Sequence, residues 1–344
     1  EGPHLFWRDG RYYLFVAYGG TGYHHSELCL RARAVTGPYE PDPRGVFLTT
    51  RHDLFHPLQK AGHASLVDTP EGRWFISFLC ARPIPPLGRC VLGRETGVAE
   101  VAWEDGWPHL RNGDRKPDIA CDTGLPEYLW PAEPATLPLS PIPPAFLTLR
   151  GPLVEGADCS LTARPGWLRL FGGSWLNSRY QQRLLARRIE YFHFEAETRV
   201  EFAPQTYKHM AGLVCYYDYD NWYYLHKTRE ERLGPAVSLI GCQNGRAFSP
   251  CAPMAVGEGP LRLAAHGDVD LVQFLYAEEN QPLRPLGLPQ DLSILSDEQC
   301  RDGAFTGAMV GVCCQDLLLG RYPADFEWFR YEPCAPHEHT ISLL

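Results

Sequence analysis

A carboxylate and a guanidinium are the first candidates for chemistry in this chain. The sequence opens on a carboxylate, Glu1, in the run Glu1-Gly2-Pro3. A carboxyl group can act as a general acid, although a glutamate at a terminus is, by itself, usually a surface residue. Arg94 carries a guanidinium that can bind neighbouring hydroxyls through two hydrogen bonds, or pair with the adjacent Glu95. These groups gain a role only from the elements that position them.

Composition excludes several function classes. The chain has 344 residues, of which 44% are hydrophobic, and a formal net charge of -9. A negative charge with no long basic run argues against binding to nucleic acid or to an anionic membrane surface. No stretch approaches the roughly 18 consecutive apolar residues of a membrane span. The length is sufficient for about two domains.

The twelve cysteines are scattered along the chain. They form no Cys-x-x-Cys pair, so no zinc site is predicted. The sequence also lacks an Asn-x-Ser/Thr glycosylation signal. Both observations favour a cytoplasmic over a secreted protein, and they leave the compartment open.

Short β-rich runs bounded by turns dominate the first third of the chain. Residues 11–18 follow the turn signal Arg8-Asp9-Gly10, and residues 73–79 follow a Thr-Pro-Glu-Gly turn. The two regions resemble each other at a period of about sixty residues, with about four strands in each unit, which is typical of propeller blades. Two blades cannot close a propeller, so we expect the front of the propeller to lie outside this chain.

The remaining chain divides by composition. Residues 1–111 are predicted to be the last blades of a propeller, and the Pro- and Gly-rich residues 112–150 a linker or strap. Strand signals with turns every eight to fifteen residues resume over 151–332 and predict an antiparallel β-sandwich. Residues 333–344 form a tail. The predicted fold class is therefore all-β.

Several motifs in order resemble glycoside hydrolase family 43, of the β-xylosidase and α-L-arabinofuranosidase type with a C-terminal sandwich. The propeller motifs are EGPHLFWRDGRYYLFVAYGGTGY, QKAGHASLVDTPEGRWFISFL and LGRETGVAEVAWEDGWPHL, and the sandwich motifs are LRLFGGSWLNSRYQQRLLARR, MAGLVCYYDYDNWYYLH and DGAFTGAMVGVCCQD. The resemblance implies the C-terminal part of a five-bladed propeller followed by a concanavalin-like or lectin-like sandwich. It also implies that the chain is cut inside its catalytic domain, with roughly three blades absent.

The resemblance implies an inverting, exo-acting hydrolase that removes terminal xylose or arabinose from plant cell-wall oligosaccharides. Inversion needs one carboxyl acid and one carboxylate base, about 6.5–9.5 Å apart. Glu1 matches the family's acid. The base Asp and a second, acid-tuning Asp precede that Glu in the family, so Asp9, Asp53 and Asp68 are not taken as replacements. The chain alone is expected to be inactive.

The resemblance also implies the substrate-binding residues, namely Thr21, His63, Arg94 and Phe305. His63 would lie near the propeller axis, and Phe305 would come from a sandwich loop that narrows the pocket. No cofactor is required and no residue is assigned to a metal, although the resemblance leaves open a structural calcium at the propeller axis. His24 departs from the usual pattern, so it and His25 are left out of the predicted site.

Two alternatives to a glycosidase remain open. The chain could be a non-catalytic carbohydrate-binding remnant, whose sandwich strands carry the aromatics Tyr216, Tyr217, Tyr219, Trp222, Tyr223 and Tyr224. Alternation along a strand would bury half of these. It could instead be a product without function, whose open sheet edges favour aggregation. The sequence does not distinguish xylosidase from arabinofuranosidase, and it leaves the oligomeric state open.

Overall fold

The chain forms two compact units, Glu1–Trp130 and Pro131–Leu344. The computed structural model describes residues 1–301 and 305–335. Every pairing between named strands in this part of the chain is antiparallel, and the one helix is a 3-10 turn, Leu292–Ile294. Within the described residues, no helix has the length and apolar character needed to cross a membrane.

The first unit contains two antiparallel sheets that follow each other along the chain. The first sheet has the order β1-β2-β3-β4 with β5 on β3, and the second has the order β6-β7-β8-β9. The strands are β1 (His4–Arg8), β2 (Arg11–Tyr18), β3 (Ser26–Ala32), β4 (Glu40–Pro41), β5 (Leu48–Thr49), β6 (Gln59–Asp68), β7 (Trp74–Ala81), β8 (Glu95–Glu104) and β9 (Trp107–Leu110). The predicted repeat is confirmed, because each repeat forms one blade-type meander.

Alternation along these strands builds the core of the first unit. In β2, Tyr13, Phe15 and Ala17 are buried on one face, as the two-residue period of a strand requires. Tyr13 and Phe15 pack with the inward residues of the second sheet, including Ile76 and Phe78 of β7. The cluster holds the two sheets of this unit together through apolar contact.

The second unit is a sandwich of two larger sheets. One sheet has the order β12-β13-β26-β15-β21-β22-β23, with β10 on β26 and β24 on β22, and the other has the order β11-β14-β25-β16-β17-β18-β19, with β20 on β18. The strands are β10 (Thr136–Pro138), β11 (Leu147–Thr148), β12 (Cys159–Ser160), β13 (Leu168–Phe171), β14 (Arg183–Arg188), β15 (His193–Glu201), β16 (His209–Asp218), β17 (Asn221–Glu230), β18 (Gly234–Gln243), β19 (Arg246–Phe248), β20 (Met254–Ala255), β21 (Leu261–Asp268), β22 (Leu271–Glu278), β23 (Arg284–Pro285), β24 (Gln290–Asp291), β25 (Met309–Asp316) and β26 (Pro323–Pro333). The predictions of an all-β fold and of a C-terminal antiparallel sandwich are confirmed.

Both faces of the central strands β16 and β17 are buried, contrary to the simple alternation expected from the sequence. Five of the six aromatic residues singled out there are at most 5% exposed, and Tyr219 is half-buried. One face of these strands packs on a cluster that includes Leu176, and Trp175 lies against the same cluster. The five buried aromatics therefore offer no open stacking surface to a sugar.

Part of the segment predicted as a linker is built into the sandwich. Within 112–150, Thr136–Pro138 pairs with β26 and Leu147–Thr148 pairs with β14. Leu139 is fully buried and Phe146 nearly so. Proline at strand edges and between short strands is compatible with this, because it removes a donor without preventing an extended chain.

Three cross-strand pairs place a phenylalanine opposite a glycine. Phe194 in β15 pairs with Gly267 in β21, and a Cβ built on Gly267 would lie 2.1 Å from the Phe194 ring. Phe248 pairs with Gly241, and the corresponding distance is 2.4 Å. Phe78 pairs with Gly97 in the same way. In each pair the ring fills the space that a side chain on the opposite strand would occupy.

We predict that Gly267→Ala destabilises the protein and that Gly241→Ala does so much less. Phe194 is fully buried and cannot move aside, whereas Phe248 is 39% exposed and can rotate into solvent. The expected cost of Gly267→Ala is about 1–3 kcal/mol, the usual range for overpacking a core. Urea unfolding of both variants measures the difference, and equal costs would contradict this account of the pairs.

Candidate active site

Glu1 is held by backbone pairing although its side chain is exposed. Its amino group donates to the Ala17 carbonyl at 3.0 Å, and the Ala17 N–H donates to the Glu1 carbonyl at 2.9 Å. His4 pairs with Phe15 in the adjoining ladder. Between these two pairings the N-terminal segment advances three residues, from 1 to 4, whereas β2 advances only two, from 15 to 17. Gly2, at φ 55°, absorbs the extra residue as a bulge, and residue 1 therefore has a fixed place at the end of β2.

His63 lies against this bulge. A Cβ built on Gly2 would come within 2.6 Å of His63 Nε2, so the imidazole occupies the space beside the Gly2 backbone. His63 is exposed and has a left-handed φ of 52°, a conformation that is uncommon for a residue with a side chain. The structure thus brings together the predicted acid and the predicted substrate-binding histidine, which are sixty-two positions apart.

Arg94 and Thr21 also meet. The Arg94 guanidinium donates to the Thr21 carbonyl, and Arg94 is only 9% exposed. The alternative partner, Glu95, is bound by Arg82 through both carboxylate oxygens, at 2.8 and 2.7 Å. The arginine is thereby held against the turn that follows β2, which is the turn carrying Thr21.

His25, which the sequence analysis set aside, lies among these residues. It is fully buried, and burial is the main cause that lowers its pKa. A hydrogen bond to the Lys60 carbonyl raises the pKa, the charges of Arg94 and His63 lower it, and that of Glu1 raises it. Glu1, His63 and Arg94 therefore all lie within electrostatic reach of one buried imidazole. The signal for His25 was its place directly before β3.

Glu27 is a further residue that is not among those predicted for the site. It is fully buried, and burial raises its pKa to about 8, against the lowering effect of the backbone N–H groups of Ala64 and His63 and of the α-ammonium of Glu1. The Ala64 N–H donates to Glu27 Oε2 at 3.1 Å. Glu27 lies two residues before the buried Cys29 on the same face of β3, and a carboxyl at such a position was a detectable signal. Its burial keeps it from activating a water molecule.

The other acidic residues considered from the sequence lie in structural roles. Asp9 has a left-handed φ of 47° in the β1–β2 turn and pairs with Arg8. Asp53 pairs with Lys116 at 2.9 Å, and Asp68 is the last residue of β6. None of the three is placed at the bulge that carries Glu1.

Phe305 belongs to the second unit and is 45% exposed. It directly follows residues 302–304, which lie outside the described part of the chain. The exposure of this ring distinguishes it from the core phenylalanines of the sandwich. Its predicted role in the pocket stays a prediction.

Among the described residues, side-chain ligands for a calcium ion are not gathered around His63. Calcium prefers six to eight oxygen ligands, whereas the groups identified around His63 include a buried imidazole and a guanidinium. In the described part of the chain, no group of three His, Cys, Asp or Glu side chains close enough to share a metal ion includes His63. Calcium therefore enters no step derived below.

The arrangement combines a proton donor with hydroxyl-binding groups. Glu1 presents an exposed carboxyl, His63 an exposed imidazole and Arg94 a guanidinium that donates to the Thr21 carbonyl. These are groups that can protonate an ether oxygen and bind vicinal hydroxyls. Backbone bulges set the positions of the Glu1 and His63 backbones.

We predict that Glu27 makes the stability of the chain fall as pH rises. Its folded pKa of about 8 lies above its ordinary value, so between about pH 5 and 8 the folded state retains a proton that the unfolded state releases. The free energy of unfolding should then fall by about 1 kcal/mol per pH unit in this window relative to Glu27→Gln. Urea unfolding at several pH values tests this. Glu71→Gln, in an exposed turn, should behave as the unmodified chain, and a pH-independent gap between Glu27→Gln and the unmodified chain would refute the prediction.

Comparison with known proteins identifies the family of both units. Residues 1–108 match the family model "Glycosyl hydrolases family 43", and residues 140–332 match "Beta xylosidase C-terminal Concanavalin A-like domain". A putative beta-xylosidase of Escherichia coli is 37% identical over 97% of this chain and 65% of its own length. A non-reducing end alpha-L-arabinofuranosidase of Bacteroides ovatus is 31% identical over 96% of this chain and 62% of its own length.

A solved structure is also similar over nearly the whole chain. The xylan beta-1,4-xylosidase of Bacillus halodurans superimposes with a TM-score of 0.93 at 38% identity, covering 96% of this chain and 64% of that one. This chain thus spans about 65% of the length of the curated relatives it matches. With two family models covering both units in order, the chain belongs to glycoside hydrolase family 43 and carries the concanavalin A-like C-terminal domain of its β-xylosidases.

Proposed function

We propose that this chain is the acid-bearing part of an inverting, exo-acting glycosidase that removes terminal xylose or arabinose from plant cell-wall oligosaccharides. The observation that carries the proposal is the fixed position of Glu1 beside His63. Two backbone hydrogen bonds to Ala17 and the bulge at Gly2 hold residue 1 in this place. Family membership and the names of the relatives support the same reaction class.

In this proposal Glu1 protonates the glycosidic oxygen as the bond to the sugar breaks. Arg94, His63 and Thr21 bind hydroxyls of the terminal sugar and hold the bond in line with the acid. An aspartate base, from the segment that precedes Glu1 in the family, deprotonates the attacking water on the opposite face. Inversion follows because attack and departure occur on opposite faces in one step.

The identity of the sugar stays open between xylose and arabinose. One relative is named a putative beta-xylosidase and another an alpha-L-arabinofuranosidase, at similar coverage of this chain. The proposed partner is therefore a short xylo- or arabino-oligosaccharide. A ring contact from Phe305, a structural calcium and a cytoplasmic location remain predictions from the sequence.

A chimaera tests the proposal. The residues of the Escherichia coli relative that precede its counterpart of Glu1 are joined to residue 1 of this chain, and hydrolysis is measured with nitrophenyl β-xyloside, nitrophenyl α-arabinofuranoside and xylobiose. We expect turnover of at least one glycoside. Glu1→Gln should lower kcat by about 10²–10⁴-fold, and more for xylobiose than for the nitrophenyl sugar, whose good leaving group needs less protonation.

The controls separate the acid role from a general loss of structure. Glu71→Gln in the same chimaera should retain full activity, because Glu71 lies in an exposed turn. The chain without the added segment should show no turnover, since the proposed base is not among its residues. A folded chimaera that binds xylo-oligosaccharide without hydrolysing it would favour the carbohydrate-binding alternative. Equal kcat values for Glu1→Gln and the unmodified chimaera would remove Glu1 from the mechanism.

A further inference from the structure

The β6 strand is irregular where it carries His63. Its ladder with β7 shifts register twice, between Gln59 and Gly62 and between Gly62 and Ser65. Lys60 and His63 adopt left-handed φ angles of 57° and 52°, each of which is strained for a residue other than glycine. We call residues 60–64 the β6 bulge. Since the ladder is interrupted there, other groups must hold the backbone of this segment.

A buried histidine holds the first part of the β6 bulge. His25 Nδ1 lies 2.9 Å from the Lys60 carbonyl, and its ring packs so closely on Gly62 that a Cβ there would lie 3.0 Å from three ring atoms. A carbonyl only accepts, so Nδ1 carries the proton. His25 thus fixes the left-handed Lys60 by one hydrogen bond and Gly62 by contact.

A buried carboxyl holds the second part of the β6 bulge. Glu27 Oε2 accepts the Ala64 N–H at 3.1 Å, and the backbone N–H of His63 also acts on this carboxyl. Burying a carboxyl is costly unless it is hydrogen-bonded, and an apolar side chain would fill the same space at lower cost. The groups bonded to Glu27 flank the one exposed side chain of the bulge, that of His63.

We propose that Glu27 is a positioning residue for the active site. By accepting the Ala64 N–H, it keeps the His63 backbone left-handed, and this places the imidazole against Gly2 beside Glu1. His25 assists from the other end of the β6 bulge. The proposal rests on the proposed function only in treating this surface as the substrate site.

The test compares Glu27→Leu with Glu27→Gln in the full chain. Leucine has a similar size but no acceptor, whereas glutamine retains a carbonyl oxygen that can accept the Ala64 N–H. In Glu27→Leu we expect the His63 imidazole NMR signal, assigned with His63→Gln, to shift, and the Ala64 amide to exchange with solvent at least tenfold faster. In Glu27→Gln both should stay as in the unmodified chain. Circular dichroism checks that each variant is folded.

Each outcome decides the proposal. A folded Glu27→Leu with unchanged His63 signal and Ala64 exchange would overturn it. A shifted His63 signal together with faster Ala64 exchange in Glu27→Gln would overturn it as well. If Glu27→Leu does not fold, amide exchange is measured in the unmodified chain instead. An Ala64 amide that exchanges there as fast as an unstructured one is not held by Glu27, and this result would overturn the proposal. These readouts need no turnover, so an inactive chimaera with the expected NMR result would refute the proposed function and leave the positioning role standing.

Discussion

Every buried backbone group must find a hydrogen-bond partner, and the site of this protein depends on how that requirement is met where the sheets are irregular. A regular strand would place His63 and its neighbours by alternation alone. The β6 bulge breaks that rule, and side chains from β3 and the residue before it replace the missing ladder bonds. These side-chain hydrogen bonds hold His63 in its left-handed conformation.

Backbone hydrogen bonds also set the position of residue 1. The backbone of Glu1 is held by two hydrogen bonds with Ala17 and by the bulge at Gly2. Gly2 has a second function, because the His63 ring occupies the space that any larger residue would fill. One glycine therefore sets both the direction of the chain at Glu1 and its distance from the imidazole.

In the sandwich, by contrast, the central strands are buried on both faces. Opposite one face lies a cluster that includes Leu176, with Trp175 packed against it. The glycine and phenylalanine pairs let large rings cross a strand without overpacking. These features explain why aromatic residues of a type that stacks on sugar rings are buried in the core here.

Much of this could be predicted from the sequence. The strands, the two sheet repeats and the C-terminal sandwich follow from local periodicity and turn residues, which depend on near neighbours alone. Glu1, Thr21, His63 and Arg94 were singled out because short motifs carry them, and their roles in the site stay predictions. His25 was left out of the predicted site and Glu27 was not singled out. Two short strands lie within residues 112–150, the segment predicted as a linker or strap, and pair with strands of the sandwich.

The physical reason for the difference is the range of the interactions. The sequence by itself determined which segments extend and which faces are apolar, because side-chain alternation and turn propensities act over a few residues. Only the tertiary structure decided that a buried glutamate would accept a backbone N–H thirty-seven positions away. It also decided that β16 and β17 would be covered on both faces, because burial depends on what packs against a strand and not on the strand alone.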